Sequence, residues 1–143
     1  MKAKVIHEDG ERTLALVFQT GDEVAAGLLA FAKERNLRAS RFSGIGAFSG
    51  ITLGFFDWER KDYRTIALTE QVEVLSLLGD ITLDGGAPKV HAHVVVGKPD
   101  GTAHGGHLME ARVRPTLEVI LVESPRHLER RTDPESGLAL ISL

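Results

Sequence analysis

At 143 residues the chain is long enough for one well-packed core, and a single domain spanning 1–143 is expected. Its composition, 43% hydrophobic and 26% charged, is globular; with six histidines and no cysteine, disulfides and thiolate sites are excluded and any metal must use His, Asp, Glu or backbone oxygen. The net charge of −3 argues against a protein built to neutralise phosphates, because counterion release drives most nucleic-acid affinity.

The first residues, MKAKVIHEDGERT, lack the apolar run of a secretory signal, and no stretch reaches transmembrane length. A cytoplasmic location without membrane contact is the resulting expectation. Arg12 to Gln19 (RTLALVFQ) alternates as a strand does. A helix is predicted from about Gly21 to Arg35, with Thr20 and Glu23 as a capping box, and Val24, Leu28, Phe31 and Ala32 as its apolar face. Asn36 can take the left-handed conformation that ends it. Strands follow over Arg38–Ile45, Ala47–Asp57, Arg64–Leu68, Val72–Leu78, Val90–Val96, Ala103–Val113, Leu117–Glu123 and Leu138–Ile141. They are separated by turn signals at Gly44-Ile45-Gly46, Gly79-Asp80, Asp84-Gly85-Gly86, Pro99-Asp100-Gly101, Arg114-Pro115 and Asp133-Pro134. Many strands and one helix, without βαβ alternation, predict an α+β fold: an antiparallel sheet with one main helix packed on it.

The run VHAHVVVGKPDGTAHGGHL, Val90 to Leu108, carries four of the six histidines. Lys98-Pro99-Asp100-Gly101 has type I turn chemistry closed by a left-handed glycine, which pairs Lys98 with Thr102. Counting back, His93 falls opposite His107, and His91 shares its face because the strand period is two. His104 falls on the other face. Directly opposed residues have Cβ atoms roughly 4.5–5.5 Å apart, so the ring nitrogens of His91, His93 and His107 can converge on one ion. Gly105-Gly106 admits two readings. It is a bulge that would turn His107 to the opposite face, or it is room for a ligand beside His107. Val90, Ala92, Val94 and Val96 form the core side; the histidines and Val95 face outward, toward a cleft or a partner subunit.

Three roles are open to Glu118: a fourth ligand, an acceptor for an imidazole N–H, or a solvated residue. Glu73 and Glu110 admit the same choices. Gly44-Ile45-Gly46 and Gly85-Gly86 lack a phosphate-loop pattern, and Ser43, Ser49 and Ser76 lack a nucleophile-elbow context. The basic run Arg126 to Arg131 is interrupted by Glu129 and followed by Asp133 and Glu135, and it reads as a solvated surface.

The segments QVEVLSLLGDITL, VHAHVVVGKPDGTAHGGHL, PTLEVIL and RASRFSGIGAFSGITLGFFD together resemble the plants-and-prokaryotes-conserved domain, from about Arg12 to Glu123. The resemblance implies a homotrimer, a metal ion (zinc) held by His91, His93 and His107, and a DNA-binding label borrowed from plant members that carry AT-hooks. It places Glu73 at an acidic position of the plant pattern near protein contacts, although Glu70-Gln71-Val72 departs from that pattern. The sequence contains no Arg-Gly-Arg-Pro core to enter an A·T minor groove, which removes the main warrant for DNA binding. The favoured expectation is a homotrimeric binding or regulatory module with a histidine metal site, Glu73, Glu118, Gly105 and Gly106 standing as candidate supporting or partner-contact residues. The alternative is a metal-dependent enzyme acting on a small molecule at the same site.

Overall fold

A computed structural model describes residues 1–143. In chain order the elements are β1 (Lys2–Asp9), β2 (Glu11–Gln19), α1 (Val24–Arg35), β3 (Ala39–Asp57), β4 (Asp62–Leu68), β5 (Val72–Asp84), β6 (Ala87–Gly97), β7 (Ala103–Glu123), β8 (Glu129–Thr132) and β9 (Ala139–Ser142). All nine strands belong to one sheet. Its pairings are antiparallel except for the short β5–β8 contact. The fold is therefore α+β, mostly antiparallel sheet with one helix.

The long strands β3 and β7 lie side by side. The β5–β6 hairpin pairs with β3 through β5 and with β7 through β6. The circuit β3–β5–β6–β7 thus closes on itself and leaves the β5–β6 pair no free edge there. Alternation along each strand sends one set of side chains inward, including Phe42, Leu77, Ile81, Ala92, Val94, Val96, Leu108 and Leu121. Helix α1 lies against β6 and β7 and buries Val24, Leu28, Phe31 and Ala32, the four residues of the predicted apolar face.

The helix begins later than predicted. Glu23 is itself the N-cap: its carboxylate accepts from the backbone N–H of Ala25 and Ala26. Thr20 instead donates to the Pro115 carbonyl. Asn36, at φ 52°, ends the helix as expected. Its N–H and that of buried Leu37 return to the carbonyls of Lys33 and Ala32 in a Schellman arrangement.

Three predicted turns are strand. Gly44-Ile45-Gly46 lies within β3, where pairing with β5 shifts register by one residue, so the glycines mark a bulge rather than a reversal. Gly79-Asp80 continues β5, with Gly79 opposite Phe42 and Ala92. Arg114-Pro115, a cis peptide bond, lies within β7 near a register irregularity against β3, where the missing proline N–H is tolerated. Strands β1 and β8 lay outside the predicted set. Arg130, read as part of a solvated run, is 8% exposed, because β8 pairing turns alternate side chains inward.

Candidate metal centre

The hairpin holding the histidines forms as its turn chemistry dictates. The Lys98 N–H donates to the Thr102 carbonyl and the Gly101 N–H to the Lys98 carbonyl, both at 2.9 Å. Asp100 accepts from the Thr102 backbone and hydroxyl. From that loop the register runs without a shift: Gly97 opposite Ala103, Val96 opposite His104, Val95 opposite Gly105, Val94 opposite Gly106 and His93 opposite His107. Gly105-Gly106 is therefore not a bulge. A Cβ on Gly106 would stand 2.7 Å from the Gly54 carbonyl oxygen of β3, so glycine is required there by close approach of a neighbouring backbone. That position faces away from the histidines.

His91, His93 and His107 share one face. Their ring centroids lie 5.1–5.4 Å apart, and one nitrogen from each falls within 4.8 Å of the others. A tetrahedral ion with zinc–nitrogen bonds of about 2.0–2.1 Å needs its ligands about 3.3 Å apart. Rotation of the rings would have to close that gap.

Burial pushes the His107 imidazolium down to about 4, with His91 and His93 acting in the same direction. His93 is lowered by burial and by His91. His93 and His107 are thus neutral near pH 7, the protonation state a metal requires. Nδ1 of His107 is buried without a hydrogen-bond partner. Such an atom costs about 1–3 kcal/mol, and a cation bound beside the three imidazoles would relieve that kind of deficit. The donor set fits zinc.

Around the triad stand three residues that sequence reasoning missed. Asp80 lies directly opposite His91 on β5, with its Oδ2 3.7 Å from His91 Nδ1. Burial pushes its carboxyl up, but His91 and Arg130 outweigh that and hold it below the ordinary carboxylate value. Arg130 donates to Asp80 Oδ1 (2.5 Å), to the Thr82 hydroxyl (2.7 Å) and to the Ala139 carbonyl (2.8 Å). The Tyr63 ring packs 4.9 Å from that of His107, over Gly54, where a Cβ would meet Tyr63 at 3.0 Å. A cavity of about 230 Å³ opens beside His91 and His107, walled by Tyr63, Arg130, Leu138 and Leu140. Pairing patterns alone could have flagged Asp80, since β5 and β6 form a hairpin across Gly85-Gly86; nothing local marked Arg130.

The candidate carboxylates Glu73 and Glu118 do not join the triad. Glu73 sits opposite Ala47 and Gly97, Glu118 opposite Ile45 and Val17, and the two line a different surface cavity with Leu75. Glu110 lines a third, with Arg112. Gly105 lies against Val94 and Val95 within the hairpin.

The sequence profile of the Plants and Prokaryotes Conserved (PCC) domain matches residues 6–125. The chain belongs to the PCC family. Solved PCC-like structures share its fold. A plant- and prokaryote-conserved protein from Pyrococcus horikoshii is 34% identical over 92% of both chains, with a TM-score of 0.86. A protein described as metal-containing, from Archaeoglobus fulgidus, is 33% identical over 98% of this chain and 99% of its own, TM-score 0.86. A protein described as a "putative DNA-binding protein", from Bacteroides thetaiotaomicron, is 26% identical over 98% and 96%, TM-score 0.88. Among curated proteins, the bifunctional protein GlmU of Synechococcus sp. (strain JA-3-3Ab) is 32% identical over 129 residues, 88% of this PCC chain but 20% of that protein. The chain thus spans a fifth of that relative's length. No helix of the PCC chain is long and apolar enough to cross a membrane.

Proposed function

We propose that this PCC chain is a homotrimeric binding or regulatory module built around a metal centre, with zinc held by His91, His93 and His107. One observation carries the reading: three imidazole nitrogens within 4.8 Å of one another on a hairpin whose register runs without a shift. The metal-containing description of the Archaeoglobus relative agrees with it. Zinc bound there would act as a Lewis acid and lower the pKa of a coordinated water. The chain's own residues do the rest: the register of β6 and β7 aims three rings at one point, and neutrality of His93 and His107 supplies lone pairs near pH 7.

The trimer rests on the outer surface of the closed sheet. Ile120, Ser43, Leu78 and His93 form one row across β7, β3, β5 and β6, and Val95 follows His93 on the same face. Leu78, Val95 and Ile120 are 41–57% exposed. An apolar strip that ends at a metal site suits burial by further copies of the chain.

Elemental analysis of protein purified without added metal, beside a His91→Ala/His93→Ala variant, tests the centre. Zinc near one equivalent per chain in the wild type alone is expected; equal content in both removes the site. Light scattering after size exclusion tests the assembly, with three chains' mass expected and a monomer refuting it.

The cavity beside His91 and His107 favours a second reading, a metal-dependent enzyme acting on a small molecule, in which Asp80, the carboxylate facing His91, would serve as the base. DNA binding is suggested by the description of the Bacteroides relative, but the acidic balance weighs against it. A gel shift at two salt concentrations decides: retardation at low salt that disappears at high salt would mark phosphate contacts.

A further inference from the structure

We propose that the C-terminal β8–β9 hairpin is a working part of the histidine centre, in which Arg130 fixes Asp80 and Asp80 fixes His91 as a ligand. This inference rests on the metal-binding reading above. The hairpin lies beyond residue 125, where the family match ends.

The chain of contacts is short. Asp80 and His91 are cross-strand partners on β5 and β6, so their side chains share the triad's face. Oδ2 of Asp80 faces Nδ1 of His91 at 3.7 Å, while Oδ1 accepts from Arg130. The Arg130 side chain is 5% exposed and cannot swing away: Nε is held by Thr82 and Nη1 by the Ala139 carbonyl of β9. Asp80 is its ionic partner. Stability alone is a weak reason for such a pair, since apolar residues of similar volume often do as well. A reason appears at the other oxygen. An imidazole that donates one nitrogen to a carboxylate keeps the second as a lone-pair donor aimed outward, which raises its strength as a ligand. A 3.7 Å separation is longer than a hydrogen bond, so the His91 ring must close it when the three nitrogens gather on an ion. Arg130 and Asp80 are therefore positioning residues.

Asp80→Asn makes the strongest test because it keeps the shape. Arg130 is a donor only, so it selects the amide oxygen, and the amide NH2 is left facing His91 Nδ1. That forces the proton of His91 onto Nε2 and removes the lone pair aimed at the metal. Two readouts are made on Asp80→Asn, Arg130→Met and Arg130→Lys. The first is the His91 tautomer in metal-free protein, from long-range proton–nitrogen NMR spectra. The second is zinc affinity by competition with a chromophoric chelator. The wild type is expected to carry the His91 proton on Nδ1 and Asp80→Asn on Nε2. Zinc affinity falls about 10–100-fold in Asp80→Asn and Arg130→Met, with partial recovery in Arg130→Lys. If Arg130→Met does not fold, Asp80→Asn decides. An unchanged tautomer, or zinc affinity within twofold of wild type in Asp80→Asn, overturns the proposal. Failure of the metal reading looks different: the wild type itself then takes up no zinc, and the proposal falls with it whatever the tautomer.

Discussion

His107→Leu separates what the third histidine costs the fold from what it gives the metal. In metal-free protein, Nδ1 of His107 is buried without a partner, a deficit of about 1–3 kcal/mol. Leucine fills similar space between Tyr63 and His91 and has no polar atom to strand. It forfeits ring–ring contact of about 0.5–1.5 kcal/mol, so at the midpoints a net gain of about 1 kcal/mol is expected. For a chain of this length each kcal/mol moves Tm by about 2–4 °C. The variant should therefore melt roughly 2–4 °C above wild type in chelator at pH 7.5. Zinc reverses the order. A ligand present at 100 times its Kd stabilises the state that binds it by about 2.7 kcal/mol, roughly 5–10 °C here. Wild type gains that increment, while the variant, with two ligands left, gains little. The assay is a pair of melting curves at one protein concentration, with chelator and with zinc. A variant that melts below wild type in chelator would show that the buried nitrogen carries no penalty. Equal zinc-induced shifts in the two proteins would show that His107 is not a ligand.

Metal-free wild type should lose stability as pH falls from about 6.5 toward 4. His107 is lowered on folding from 6.5 to about 4, so within that window the unfolded chain binds the proton and the folded chain does not. At about 1.4 kcal/mol per pH unit the loss approaches 3 kcal/mol; urea titrations at pH 7.5 and 4.5 measure it, and His107→Leu should flatten the slope. Glu123→Ala should cost about 2–4 kcal/mol by urea denaturation. It strips a buried carboxylate from the N–H groups of Arg38 and Ala39 and the hydroxyl of Ser40, and a loss under 1 kcal/mol would contradict that accounting. Gly106→Ala drives a Cβ onto the Gly54 carbonyl and should destabilise by roughly 1–3 kcal/mol; a melting temperature equal to wild type would show that β3 yields freely. Ile120→Glu should reduce the mass seen by light scattering if the exposed apolar strip is the contact between copies, and a mass equal to wild type would move that contact elsewhere.

The triad was legible in the sequence because everything that fixes it is local. A short loop with Pro99 and Gly101 sets the register, and register fixes which face each histidine takes. The helix was legible for a related reason: Val24, Leu28, Phe31 and Ala32 mark its buried face without reference to the rest of the chain. Punctuation residues misled where tertiary pairing overrode them. Gly44, Gly46, Gly79 and Pro115 all sit inside long strands, because the closed circuit of β3, β5, β6 and β7 holds both flanks in place; pairing shifts register near Gly44, Gly46 and Pro115 and runs unbroken through Gly79. Strand β1 is exposed along its whole length, so no buried face imposed a pattern to read. Arg130 was the costliest omission. In a mixed-charge run a guanidinium reads as solvated unless an anion on another strand awaits it, and that anion, half-buried Asp80, was hidden in what looked like a turn. The two omissions differ in kind: Asp80 lies in the hairpin next to the histidines and was masked by Gly79, whereas Arg130 reaches the site only through the contact of β8 with β5. The three histidines are written in one hairpin, and the arginine that meets Asp80 beside them is written in the topology.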